Sequence, residues 1–125
     1  MANDATREGE CVEGEACGIC GLMARYDADR SQVRVVYESD EVLAVHSTKP
    51  FAQVHVFIMA KRHIPTVFDM TEADIPLQNE MWNAIRAAAR EVIAMLGACR
   101  VEMYLGEFQN TKHVHCHVVY DPAID

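Results

Sequence analysis

The sequence predicts an α+β domain: an antiparallel sheet of about five strands, one long helix covering a face, and a short helical turn. Three observations lead there. Short apolar runs bounded by turn residues fill positions 33–59, an amphipathic repeat of helical period follows from Leu77 to Leu96, and two more strand-like runs close the chain. With 125 residues the chain suits one domain with a real core rather than two.

Residues 1–16 are small, polar and acidic, with Asp4, Glu8, Glu10, Glu13 and Glu15 among them. They lack the apolar content to bury themselves and are expected to form a flexible tail ahead of a domain over 17–125. No apolar core of a signal peptide precedes the domain, and no run approaches the ~18 apolar residues of a membrane span. Five cysteines, an odd number, do not suggest a secreted disulfide framework, so the expected compartment is the cytosol. Cys17-Gly18-Ile19-Cys20 is compatible with a metal half-site, a redox pair or coincidence. The redox reading is the weakest, because Leu22 to Arg30 shows no long helical pattern of the kind such a pair opens.

Val33 to Tyr37 and Glu41 to His46 read as strands joined by a tight turn at Glu38-Ser39-Asp40, hence a hairpin. Ser47 to Gln53 is a loop. Val54 to Met59 is a strong strand, and alternation puts His55 on the face of Phe57 and Met59. On this stretch alone His55 reads as a buried, hydrogen-bonded histidine. Lys61 to Pro65 turns, and a short helical turn follows through Phe68. Thr71 is a good N-cap for a helix of about seven turns, built on Leu77, Met81, Ile85, Ala88, Val92 and Leu96, with Gly97 just past its end. Met81, Trp82 and Met95 read as packing residues. Arg100 to Leu105 and Thr111 to Tyr120 are the last strands, and Asp121-Pro122 stops the second. Cys99 and Cys116 read as core.

The last strand carries His113, His115 and His117 on one face and Val114, Cys116 and Val118 on the other. A net charge of −8 argues against a DNA or RNA polymer or an anionic membrane as partner, while leaving room for a small phosphate ligand. Strand rise puts His113 and His117 roughly 13 Å apart, too far for all three rings to converge easily on one metal. The row therefore divides into members with different tasks. A neutral imidazole can attack phosphorus and form a covalent phosphoramidate, given a partner that fixes its tautomer and donors for the phosphoryl oxygens. His115 sits between two imidazoles, and Gln109, Asn110 and Thr111 supply donors just upstream.

His113-Val114-His115-Cys116-His117-Val118-Val119 resembles the His-φ-His-φ-His-φ-φ signature of the histidine triad family of nucleotide hydrolases and transferases, φ being apolar. Cys17-Gly18-Ile19-Cys20, the hairpin Val36 to Ala44 and the segment Val54 to Ile64 are similar to the corresponding parts of the family's Cys-x-x-Cys branch. The resemblance implies His115 as nucleophile toward an α-phosphorus, supported by His117 and His55. It implies nucleotide contacts from Gln109, Asn110, His46 and Ser47, and a structural zinc held by Cys17, Cys20, His63 and His113. It also implies a homodimer, and a purine nucleotide or nucleotide conjugate such as a phosphoramidate as ligand. Ser47 replaces a usual acidic ribose contact, Glu102 a usual asparagine, and Phe108-Gln109-Asn110 a Gly-Gln-Ser/Thr turn. A catalytically weak nucleotide-binding or scaffold protein is the alternative function, and a metal hydrolase is a third.

Overall fold

The computed structural model describes residues 17–122. The acidic tail expected at 1–16 lies outside the described residues. Strand β1 (Val35–Glu38) pairs with β2 (Val42–His46), β2 with β3 (Val54–Ala60), β3 with β5 (His115–Tyr120) and β5 with β4 (Arg100–Glu102), all antiparallel, in the order β1-β2-β3-β5-β4. This is the expected α+β sheet.

The long helix, α2 (Ile75–Leu96), has 22 residues, about six turns rather than seven. Thr71 does cap, but it caps a separate 3-10 turn at Glu72–Asp74, with Asp74 returning a bond to the Thr71 amide. Pro76 stands within the first turn of α2, where a missing N–H costs nothing. Gly97 ends the helix at φ +90°, the left-handed conformation that favours glycine. Leu77, Met81, Ala84, Ile85, Ala88 and Val92 pack on Val42, Ala44, Val56, Ile58, Val114, Cys116 and Val118, so one sheet face and one helix stripe form the main core. Truncating Leu77, 1% exposed, to alanine removes roughly 2–5 kcal/mol of this packing. Cys116 is buried in that core and Cys99 packs at its edge, as expected. Trp82 and Met95 do not pack: they are 56% and 63% exposed on the outer side of α2.

The opposite sheet face carries an element the sequence reading missed. Gly18–Ala28 forms helix α1, capped by the Cys17 sulfur, which accepts from the Cys20 amide. Its apolar stripe is thin, with only Ile19 and Tyr26 buried, against Leu43, Val45 and Met59. Tertiary contact rather than helical periodicity holds it in place. The Tyr26 hydroxyl donates to Glu38 at 2.7 Å, and Lys61 Nζ reaches the same carboxylate at 2.6 Å, tying α1 to the strands.

The last two strands are shorter than expected. β4 stops at Glu102 and β5 starts at His115, so His113 lies before the strand. The backbone there turns: the His113 amide donates to Thr111 O at 2.9 Å and the Val114 amide to Ile64 O at 2.7 Å. The facing pattern nevertheless continues, since Val114 joins Cys116 and Val118 in the α2 core.

Candidate functional site

The histidine row divides between two sites on the face away from α2. At one end, Cys17 Sγ, Cys20 Sγ, His63 Nδ1 and His113 Nδ1 all lie within 4.8 Å of one another. Cys17 Sγ stands 3.4 Å from His113 Nδ1 and 3.7 Å from His63 Nδ1, and the two imidazole nitrogens are 3.2 Å apart. Four nitrogen and sulfur ligands around a tetrahedral ion, bonded at about 2.0–2.3 Å, have edges of roughly 3.3–3.8 Å. The spacing of the four ligand atoms fits such an ion.

The ring of His113 is oriented for this role. Its Nε2 lies 2.6 Å from the Ala60 carbonyl oxygen, which only accepts, so Nε2 carries the hydrogen and Nδ1 keeps its lone pair toward the sulfurs. Burial lowers the His113 pKa to about 4, which also favours the ligating neutral form. The loops carrying the ligands are stitched together by Gln109. Its amide nitrogen donates to Pro65 O at 2.8 Å and Thr111 O at 3.0 Å.

At the other end, His115, His117 and His55 line a cleft of about 380 Å³. Ser47, Lys49, Asn110 and Thr111 give it polar groups, while Phe51, Phe57, Tyr104 and Phe108 give it an aromatic side. Among these residues Lys49 is the one with a formal charge, so the described residues of an acidic chain bring no carboxylate to the pocket lining.

Backbone groups fix the tautomers here too. His115 Nδ1 lies 2.6 Å from the His113 carbonyl oxygen and must donate to it, which leaves the Nε2 lone pair unused. The Phe51 amide donates to His55 Nδ1 at 3.3 Å, so the His55 hydrogen is on Nε2. That Nε2 donates across 2.8 Å to His117 Nδ1, and His117 is left with an Nε2–H donor. The result is one ring with a lone pair to attack and one with a hydrogen to give. Burial lowers the pKa of His115, and burial followed by the neighbouring His115 and His55 lowers that of His117 to about 4. Burial lowers His55 as well, so the neutral tautomers persist at neutral pH.

Two residues assigned to nucleotide contact do not line the cleft. His46 shares the parity of Val42 and Ala44, which places it on the α2 side, and Arg34 and Glu91 supply the charges around it. Ser47, of opposite parity, does line the cleft. Gln109 is buried and spends its amide nitrogen on the two carbonyls, so it serves the loops rather than the pocket surface. Asn110 lines the cleft. The aromatic side and Lys49 went unnoticed in the sequence. Only Phe57 carried a signal, its parity with His55.

A family model described as "Scavenger mRNA decapping enzyme C-term binding" matches residues 20–123. A HIT family hydrolase from Clostridium thermocellum is 27% identical, with a TM-score of 0.64 over 84% of this chain and 90% of that one. The chain belongs to the histidine triad family. Among curated histidine triad relatives, the bifunctional adenosine 5'-phosphosulfate phosphorylase/adenylylsulfatase of Arabidopsis thaliana is 24% identical over 116 residues, 88% of this chain and 73% of that protein. A Zn-bound histidine triad protein from Mycobacterium smegmatis shares the fold, with a TM-score of 0.69 at 20% identity over 88% of this chain and 78% of that one. The five-stranded sheet, long helix and short N-terminal helix are the histidine triad fold.

Proposed function

We propose that the protein is a hydrolase or nucleotidyl transferase acting on a nucleoside monophosphate conjugate, such as a phosphoramidate, through a covalent intermediate on His115. One observation carries this reading: the His113 carbonyl takes the His115 Nδ1 hydrogen and leaves Nε2 as a lone pair lining the cleft. In the first step Nε2 attacks the α-phosphorus, a P–N bond forms, and the bond to the leaving group breaks with its electron pair on that group. In the second step water attacks phosphorus and the P–N bond to His115 breaks. Across both steps water supplies the hydroxyl to phosphorus and the proton to the leaving group. The His117 Nε2–H donates to phosphoryl oxygen, where charge builds up. Nucleotide conjugates match in kind the adenosine 5'-phosphosulfate named for the Arabidopsis relative, a nucleoside monophosphate joined to a second group.

The metal held by Cys17, Cys20, His63 and His113 is taken to be zinc, with a structural task. A four-ligand set has no open position, and it joins the start of α1 to the backbone that positions His115. The protein is further proposed to pair with a second copy along β4. That strand is an edge of the sheet, and Val101 on it, Met103 and Leu105 just past its end, and Trp82 and Ile93 on α2 are exposed.

The test is turnover of a nucleoside phosphoramidate with rapid acid quenching and mass spectrometry of the peptides. The expected result is one nucleotidyl group on the peptide containing His115, absent in His115→Ala. Turnover by His115→Ala at the wild-type rate would sink the reading.

A further inference from the structure

We propose that Arg100 and Tyr104 are positioning residues that hold the Glu102 carboxylate at the sheet edge, out of the cleft, so that an anionic phosphate can sit beside His117. The inference rests on the nucleotide reading above and adds to it two residues with no part in the chemistry.

Glu102 is the Cα partner of His117 across β4 and β5. Directly opposed residues in an antiparallel pair project to the same face, with Cβ atoms about 4.5–5.5 Å apart. The Glu102 side chain therefore leaves the backbone on the pocket face, next to a ring of the site. A carboxylate there would oppose a phosphate directly, since like charges in a partly desolvated cleft repel strongly. Yet Glu102 does not line the cleft, and Tyr104 does.

The reason is local. Arg100 stands two residues before Glu102 on β4, so alternation sends both side chains to one face, and Tyr104 follows two residues past the strand's end. The Tyr104 hydroxyl donates to Glu102 Oε1, and Arg100 Nε donates to Oε2 at 2.9 Å. Both carboxylate oxygens are occupied, one of them by a cation. The Tyr104 ring, 5.5 Å from the His117 ring, stands on the pocket wall with Glu102 behind its hydroxyl. These bonds also hold the Glu102 carboxyl below its ordinary range, so its charge persists at neutral pH and has to be kept away.

The experiment is calorimetric titration of the full chain, metal-loaded, with AMP as probe. Four forms are compared: wild type, Tyr104→Phe, Glu102→Gln and the double variant. Removing the hydroxyl frees one carboxylate oxygen, and Tyr104→Phe is expected to weaken AMP about tenfold. Glu102→Gln/Tyr104→Phe is expected to bind within about twofold of wild type, and Glu102→Gln alone likewise. The deficit of Tyr104→Phe should shrink at about 0.5 M salt, because screening acts on charge and leaves a packing defect unchanged. The proposal fails if Tyr104→Phe binds AMP normally, if the double variant is not restored, or if the deficit ignores salt. Wild-type protein that binds no AMP would overturn the nucleotide reading itself. Wild-type binding with an unaffected Tyr104→Phe would overturn the positioning role alone.

Discussion

His113 and His115 are two residues apart, yet one belongs to a closed ligand cluster and the other to an open cleft. The difference is which ring nitrogen the backbone takes. Ala60 O takes Nε2–H of His113 and leaves Nδ1 for the sulfurs, whereas His113 O takes Nδ1–H of His115 and leaves Nε2 for the pocket. Burial separates them further, with His113 fully buried and His115 half-buried. Side-chain identity thus sets what an imidazole can do, and a single carbonyl decides which of two tasks it performs.

The contrast predicts a separation of effects. Removing the proposed nucleophile with His115→Ala should lower kcat by at least about a thousandfold, with the melting temperature and metal content unchanged. Elemental analysis should find about one zinc per chain in the wild type and none in a Cys17→Ser/Cys20→Ser double variant. The double variant should also lose stability by several kcal/mol in chemical denaturation, because the four ligands converge only in the folded chain and metal binding then adds to the folding free energy. Should the cysteine variant stay equally stable yet abolish turnover as His115→Ala does, the metal end would have a chemical role and the division would collapse.

A smaller effect is expected one step from His115. His55 never meets the pocket alone: its Nε2–H sets the His117 tautomer, and the Phe51 amide sets its own. His55→Phe removes that donor while keeping an aromatic ring beside Phe51 and Phe57. It should lower kcat by about 10- to 100-fold, through misorientation of His117 rather than loss of attack. His55→Asn, which can still donate, should recover part of the loss in the same assay. An equal loss in both variants would mean that the ring, not its hydrogen, matters.

These contrasts also show what the sequence made legible. Alternation assigned the faces of the last strand, because a core on one side punishes any other register. It also carried a constraint that went unused: His46 ends β2 and Ser47 follows it directly, so continued alternation turns the two side chains to opposite faces. Helix α1 escaped notice because Ile19 and Tyr26 are its only buried residues, so its stability comes from Leu43, Val45 and Met59, far away in the chain. Gln109 escaped for a similar reason. An amide in a turn rich in donors suggests a ligand contact, and only the approach of Pro65 O shows that the donor is already used. Carbonyl partners of this sort leave no mark on hydrophobic periodicity.

The smallest expected effect is in pH, and it tests whether the cleft histidines are neutral as the tautomer assignment requires. Burial lowers His115, so the acid limb of kcat/KM should fall below the ordinary histidine value of about 6.5. Most of the pH 7 activity should therefore remain at about pH 6, where an ordinary imidazole is mostly protonated. The same burial links to stability through His117. Its folded value is about 4 against roughly 6.5 unfolded, so between those values the unfolded chain binds a proton that the folded chain refuses. Stability then rises with pH across that window: the His117 contribution is fully present above about 6.5 and is lost as pH falls toward about 4. Denaturation midpoints at pH 4.5 and 7 should differ less in His117→Asn than in the wild type, since asparagine does not titrate. An unchanged difference would show that His117 takes up a proton in the folded state as readily as in the unfolded chain, and the donor–acceptor chain from Phe51 to His117 would then have to be redrawn.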